Sequence, residues 1–143
     1  MSRLGAAQLT ALLAARLPAC DQHGEVIEDI GADYVRLRLT IESRHLSRPP
    51  GARHPVCSGP LMLGFADTAM YACVHACYGA DVFAAIVNFN IAFMQVADGA
   101  VLVAIARLVR RGKRLAFLDT HLYSGALTAP CAQVTATYAV RNL

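Results

Sequence analysis

Charge is what this sequence has least of: among its 143 residues only 16% are charged while 56% are hydrophobic, against about 25% and 45–50% in an ordinary soluble domain. A chain this short buries about 68–70% of its unfolded surface on folding, so the apolar excess is hard to hide in one protomer and self-association is expected. Ten Gly and six Pro are too few for a collagen-like or low-complexity chain, and the length suits one domain over 1–143. Disulfide-framework spacing is also missing. The five cysteines, Cys20, Cys57, Cys73, Cys77 and Cys131, are odd in number, which predicts reduced thiols and a cytoplasmic location. No Gly-rich phosphate loop, dinucleotide fingerprint or Ser nucleophile elbow is present, so the motif-borne nucleotide and serine-hydrolase chemistries are not indicated.

The net charge of +3 is too mild and too unevenly placed to predict a nucleic-acid partner. Arg107, Arg110, Arg111, Lys113 and Arg114 crowd into eight positions with no acid among them, a local feature that attracts anions. Two stretches raise the question of a membrane. Arg3, the apolar run from Leu4 to Ala15 and then Leu17-Pro18-Ala19-Cys20 look loosely like a lipoprotein signal. Arg16 beside the cleavage point, Gln8 and Thr10 within the run and the presence of Met1 argue against it. Leu9, Leu12, Leu13 and Leu17 instead form one stripe of a short helix within residues 1–20. The stretch from Leu61 to Tyr78 contains Asp67, Thr68 and His75. A carboxylate at mid-bilayer costs about 2.5–3.5 kcal/mol even on a lenient scale, so a helix buried in protein is expected and no membrane partner is.

Along the chain, Glu25 to Ile30 reads as a short strand. Val35, Leu37, Leu39 and Ile41 alternate with polar residues as in a half-buried strand. His45 to Cys57 holds three Pro, one Gly and two Arg and reads as a loop. Ser58 suits the N-cap of a helix with Pro60 in its first turn, and Gly79 suits its end. Four further strands are predicted at Val82 to Gln95, Ala100 to Val109, Arg114 to Tyr123 and Ala129 to Val140. Asp98-Gly99, Arg111-Gly112 and Ser124-Gly125 between them suggest consecutive antiparallel hairpins. The order is an α+β one in which a sheet curls over an apolar helix.

The run Ser58-Gly59-Pro60-Leu61-Met62-Leu63-Gly64-Phe65-Ala66-Asp67-Thr68-Ala69-Met70-Tyr71-Ala72 resembles the central-helix motif of PaaI-type hotdog-fold acyl-coenzyme A thioesterases. Asn88-Phe89-Asn90-Ile91-Ala92-Phe93, the basic hairpin at 109–115 and the closing Ala132-Gln133-Val134-Thr135-Ala136-Thr137-Tyr138 resemble later pieces of the same family, in the same order. The resemblance implies a hotdog fold, a curved antiparallel sheet around a long central helix, and a homodimer or dimer of dimers. It also implies hydrolysis of a small, medium or aryl acyl-coenzyme A. No cofactor is expected beyond the coenzyme A of the substrate, and no metal.

Thioester hydrolysis needs a group that activates water or attacks the carbonyl, and a donor for the oxyanion. Asp67 is the candidate for the first: in an apolar helix, desolvation raises a carboxyl toward the range of a useful base. The competing reading is a buried Asp bonded to backbone or to Thr68. The second role falls to backbone N–H groups around Gly59, at a helix start. Ser58 serves as cap or as a further site residue. Gly59 and Asp67 are eight positions apart, about 12 Å along a helix. One carbonyl cannot touch both, so a shared reaction requires the donor and the acid to come from two subunits, as the resemblance also implies. Asn88 and Asn90 read equally as substrate contacts or as interface polars. Arg110, Arg111, Lys113 and Arg114 suit the phosphates of coenzyme A, or else a solvated turn.

The sequence departs from the family pattern in three places. Ser58 replaces the usual His, an upstream Asn has no counterpart in the loop, where Arg48, Arg53 and His54 are the polar candidates, and Ile86 or Val87 stands where some relatives carry Ser or Thr. A non-catalytic acyl-coenzyme A binding protein is therefore the alternative, with a hydratase third. Cys73, His75 and Cys77 cannot converge on a metal from one helix. His45 and His121 have no evident partner.

Overall fold

The structure, a computed structural model, describes residues 3–143; Met1 and Ser2, which open the expected single domain, lie outside the described residues. Helix α1 (Ala6–Arg16) is followed by a 3-10 turn at Ala19–Asp21, strands β1 (Val26–Ile30) and β2 (Tyr34–Thr40), and a second 3-10 turn at Ser43–His45. Two short strands, β3 (Leu46–Ser47) and β4 (Val56–Cys57), lead into helix α2 (Gly59–Tyr78). Strands β5 (Val82–Phe93), β6 (Val101–Arg111), β7 (Leu115–Ser124) and β8 (Ala132–Asn142) complete the chain. Among the described residues no helix is long and apolar enough to cross a membrane.

Six strands form one antiparallel sheet in the order β1-β2-β6-β7-β8-β5. This corrects one expectation: β5 and β6 are not a hairpin. Strand β5 pairs with β8 at one end of the sheet, while β6 lies between β2 and β7. The connection after β5 instead crosses the start of α2, where Cys57 N–H donates to Ala97 O at 2.7 Å, and Asp98-Gly99 turns against β7, Gly99 N–H donating to Ser124 Oγ at 2.9 Å. Alternation alone cannot distinguish these pairings, because both leave the same faces buried. The expected 45–57 loop likewise contains the β3–β4 ribbon, with Leu46 opposite Cys57.

Helix α2 lies in the hollow of this sheet, packed on β2, β5, β6 and β7. Its limits are the expected ones. The Ser58 side chain caps its start, and Gly79, at φ 96°, ends it with an N–H bond to His75 O. Phe65 and Met70 are fully buried, each contributing about 1.5–3 kcal/mol of burial. The first three turns also carry a partly exposed face: Pro60 and Gly64 are exposed, and Asp67 and Tyr71 half-buried. Positions 60, 64, 67 and 71 are helical neighbours, so these four residues form one stripe.

Candidate active site

The site begins where β4 runs into α2. Ser58 Oγ accepts the Leu61 N–H at 3.5 Å, so the side chain acts as cap. The N–H of Gly59, at the first helical position, has no acceptor within the helix, and the helix dipole adds positive character there. Gly59 forms one wall of an apolar cleft of about 370 Å³, opposite Met62, Phe93 and Val96. A Cβ on Gly59 would stand 3.6 Å from the Phe93 ring.

Two turns further on, the half-buried Asp67 accepts a hydrogen bond on Oδ1 from the hydroxyl of Tyr138, which also approaches the Asp67 backbone oxygen at 3.2 Å. Tyr138 is 1% exposed and belongs to the inward face of β8 with Val134 and Ala136. Burial raises the Asp67 carboxyl above its ordinary range and the Asp21 carboxylate adds to this, while the Tyr138 bond opposes it. Burial and the adjacent carboxylate push the Tyr138 phenol far up, so it remains a donor. An acid in this setting holds a proton more readily than one in water and is the better base for it.

Gly59 and Asp67 lie on one helix, about 12 Å apart along it, and the chain alone does not bring them together. Asn88 and Asn90 are exposed, while Phe89 and Ile91 between and beyond them pack on the core. Strand alternation therefore turns both asparagines to the outer face of β5, away from α2. A bulge falls between Ile86 and Asn88, and Val87 is 63% exposed.

The basic hairpin is fastened to the far end of α2: Tyr78 Oη donates to Gly112 O at 2.8 Å and the Arg111 guanidinium lies 4.8 Å over the Tyr78 ring. Arg110, Lys113 and Arg114 line an open cleft of about 530 Å³ with Leu115 and Phe117. Arg107 is set apart from them, stacked on Tyr34 and 3.8 Å from Asp33. Among the described residues, none of Arg110, Arg111, Lys113 and Arg114 has an acidic partner within 4.0 Å.

Cys73 and His75 do point apart. Cys73 approaches Asp33 O, and His75 reaches Gly79 O and Arg16. Of the loop polars, His54 meets Asp98 at 2.7 Å on the surface and Arg48 and Arg53 are exposed. Tyr138 had no role in the sequence reading. Its signal was the alternation of β8, which places it inward, but which group it meets depends on a contact 71 positions away.

The thioesterase superfamily model matches residues 54–131, which includes Ser58, Gly59, Asp67 and the basic hairpin. Among solved structures, a protein of Silicibacter sp. TM1040 described as a candidate thioesterase is 30% identical, with 99% of this chain and 95% of that one covered and a TM-score of 0.83. A Haemophilus influenzae thioesterase is similar in fold at 17% identity, covering 99% and 94% with a TM-score of 0.82. So is a Ralstonia eutropha JMP134 protein described as related to phenylacetic acid degradation, at 20% identity, 92% and 98% coverage and a TM-score of 0.73. None of the curated proteins compared matches the chain. With a family model spanning more than half its length and a 30% identical relative aligned over nearly all of it, the chain belongs to the thioesterase superfamily and has the hotdog fold of its PaaI-like members.

Proposed function

We propose that this protein hydrolyses the thioester of a small or medium acyl-coenzyme A, aryl acyl groups included, as a homodimer or dimer of dimers. The observation that carries the reading is the Asp67 carboxyl: half-buried as the one acid of a largely apolar helix, raised by burial and engaged by Tyr138. Asp67 of one subunit activates water or attacks the carbonyl carbon, and the Gly59 amide of the other holds the carbonyl oxygen as charge develops on it. In a two-fold pair where each Gly59 faces the other Asp67, the helices cross halfway between these two residues, at Leu63 and Gly64. The partly exposed stripe of α2 lies there, which supports this pairing.

The apolar cleft beside Gly59 takes the acyl group, its volume falling within the roughly 300–1,000 Å³ typical of ligand sites. The four cations of the β6–β7 hairpin take the phosphates of coenzyme A, Arg by paired donors and Lys as a point charge. Asn88 and Asn90, on the outer face of the edge strand, serve as contacts to the second subunit or to the coenzyme. Ser58 caps the donor helix and keeps Gly59 in place.

A hydrolysis assay over acetyl-, hexanoyl- and phenylacetyl-coenzyme A tests the reading. Asp67→Asn lowers kcat by about 10²–10⁴-fold, the usual contribution of a positioned acid or base. Equal turnover by wild type and variant contradicts the assignment. The exposed apolar pair Ile86 and Val87, one of which stands where some relatives carry Ser or Thr, favours the second reading, a binding protein without turnover. Tight acyl-coenzyme A binding with no hydrolysis by the wild type selects it.

A further inference from the structure

His45 is read from sequence as the first residue of a loop. In the fold it is 3% exposed and directly abuts the start of α2. Its backbone oxygen accepts the Ser58 N–H at 3.0 Å, at the end of the ribbon that pairs Leu46 with Cys57. Its Nδ1 accepts the Glu42 N–H at 3.0 Å, which places the ring proton on Nε2. Among the described residues that Nε2 has no partner, and it is sealed from solvent; a buried donor without an acceptor bears its full desolvation penalty. Burial, with Arg44 and His23 adding to it, holds His45 toward its neutral form.

The residue forms part of a polar cleft of about 420 Å³ together with His23, Arg44, Ser58, Pro60 and Gly64. The start of α2 is thus shared by two clefts: Gly59 faces the apolar one and Ser58 and Pro60 the polar one. A thioester at the helix tip with its acyl group in the first presents its carbonyl oxygen between them. The half-exposed His23 ring meets His45 edge-on, centroids 5.1 Å apart, at the side of this cleft.

We propose that the Nε2–H of His45 is a second donor to the substrate's carbonyl oxygen, supplied by the same subunit as the Gly59 amide. The inference rests on the thioesterase reading of the site.

Two isosteric variants test it. His45→Gln keeps an N–H where Nε2 stands and loses the acceptor at Nδ1; His45→Asn keeps the acceptor and loses the N–H. The proposal predicts that Gln retains kcat within a fewfold while Asn loses about 100-fold, the lower range for removal of one oxyanion donor, with KM little changed in both. An active Asn variant, equal losses in both folded variants, or no loss in either overturns it. If the wild type hydrolyses no acyl-coenzyme A, the thioesterase reading fails separately. His45 is then followed by imidazole ¹⁵N NMR during titration with acetonyl-coenzyme A, a non-hydrolysable ketone. A shifted Nε2–H signal at saturation supports the donor and an unchanged one overturns it.

Discussion

At Asp67 burial and a hydrogen bond pull in opposite directions. Burial favours the protonated acid, and the Tyr138 hydroxyl favours the carboxylate. Tyr138→Phe removes the second influence and lets the carboxyl rise further, so the acid limb of the kcat/KM profile moves to higher pH. An unmoved limb would show that Asp67 does not govern it. The same setting has a consequence for stability. A carboxyl raised in the folded state loses stability as pH climbs through the ordinary carboxylate range to its folded value. Asp67→Asn is therefore more stable than wild type at neutral pH, with the advantage gone in acid, as thermal unfolding at the two pH values checks. Asp67 was legible in sequence because an acid stood alone in an apolar helix. Tyr138 and His45 were not, since what marks them is a long-range partner or a missing one, and neither leaves a local pattern.

At the scale of elements, α2 was legible almost to the residue because capping chemistry is local: Ser58 and Gly79 mark its ends. The partner of β5 was not legible, because its pairing with β8 is long-range and alternation leaves the same faces buried whichever strand it joins. Gly64 adds a test of the stripe it occupies. A mid-helix Gly costs roughly 0.5–1 kcal/mol relative to Ala, yet nothing lies within 4 Å of where its Cβ would stand. Among the described residues nothing requires it, whereas the close approach of a second helix in the proposed dimer would. Gly64→Leu accordingly leaves the protomer folded but abolishes dimers in light scattering, and hydrolysis with them. The basic hairpin belongs to the opposite end of the helix. Arg110→Glu with Arg114→Glu raises KM about tenfold or more, most at low salt where charge is least screened, and leaves kcat nearly unchanged. A KM insensitive to both charge and salt would remove coenzyme A from that cleft.

For the whole molecule, the apolar excess of the sequence takes a definite place. Much of it encloses α2, and much of what stays exposed lies on or beside β5: Phe83, Ile86, Val87, Phe93, Met94 and Val96. A terminal strand with open backbone groups and such side chains is a template for pairing with another chain. A second copy that covers this edge and crosses α2 at Gly64 both buries the excess and brings each Gly59 to the other Asp67. Composition alone indicated association, and in the proposed reaction the spacing of two residues on one helix makes that association a condition of catalysis. Subunit mixing tests it most directly. Asp67→Asn removes the acid, and Gly59→Pro removes the amide at a helix position that tolerates proline. Each homodimer is inactive. Mixed dimers carry one doubly defective site and one intact site, so a random mixture recovers about a quarter of wild-type activity. Mixed dimers that form and stay inactive, or a monomer that hydrolyses thioester at the wild-type rate, would contradict the shared site.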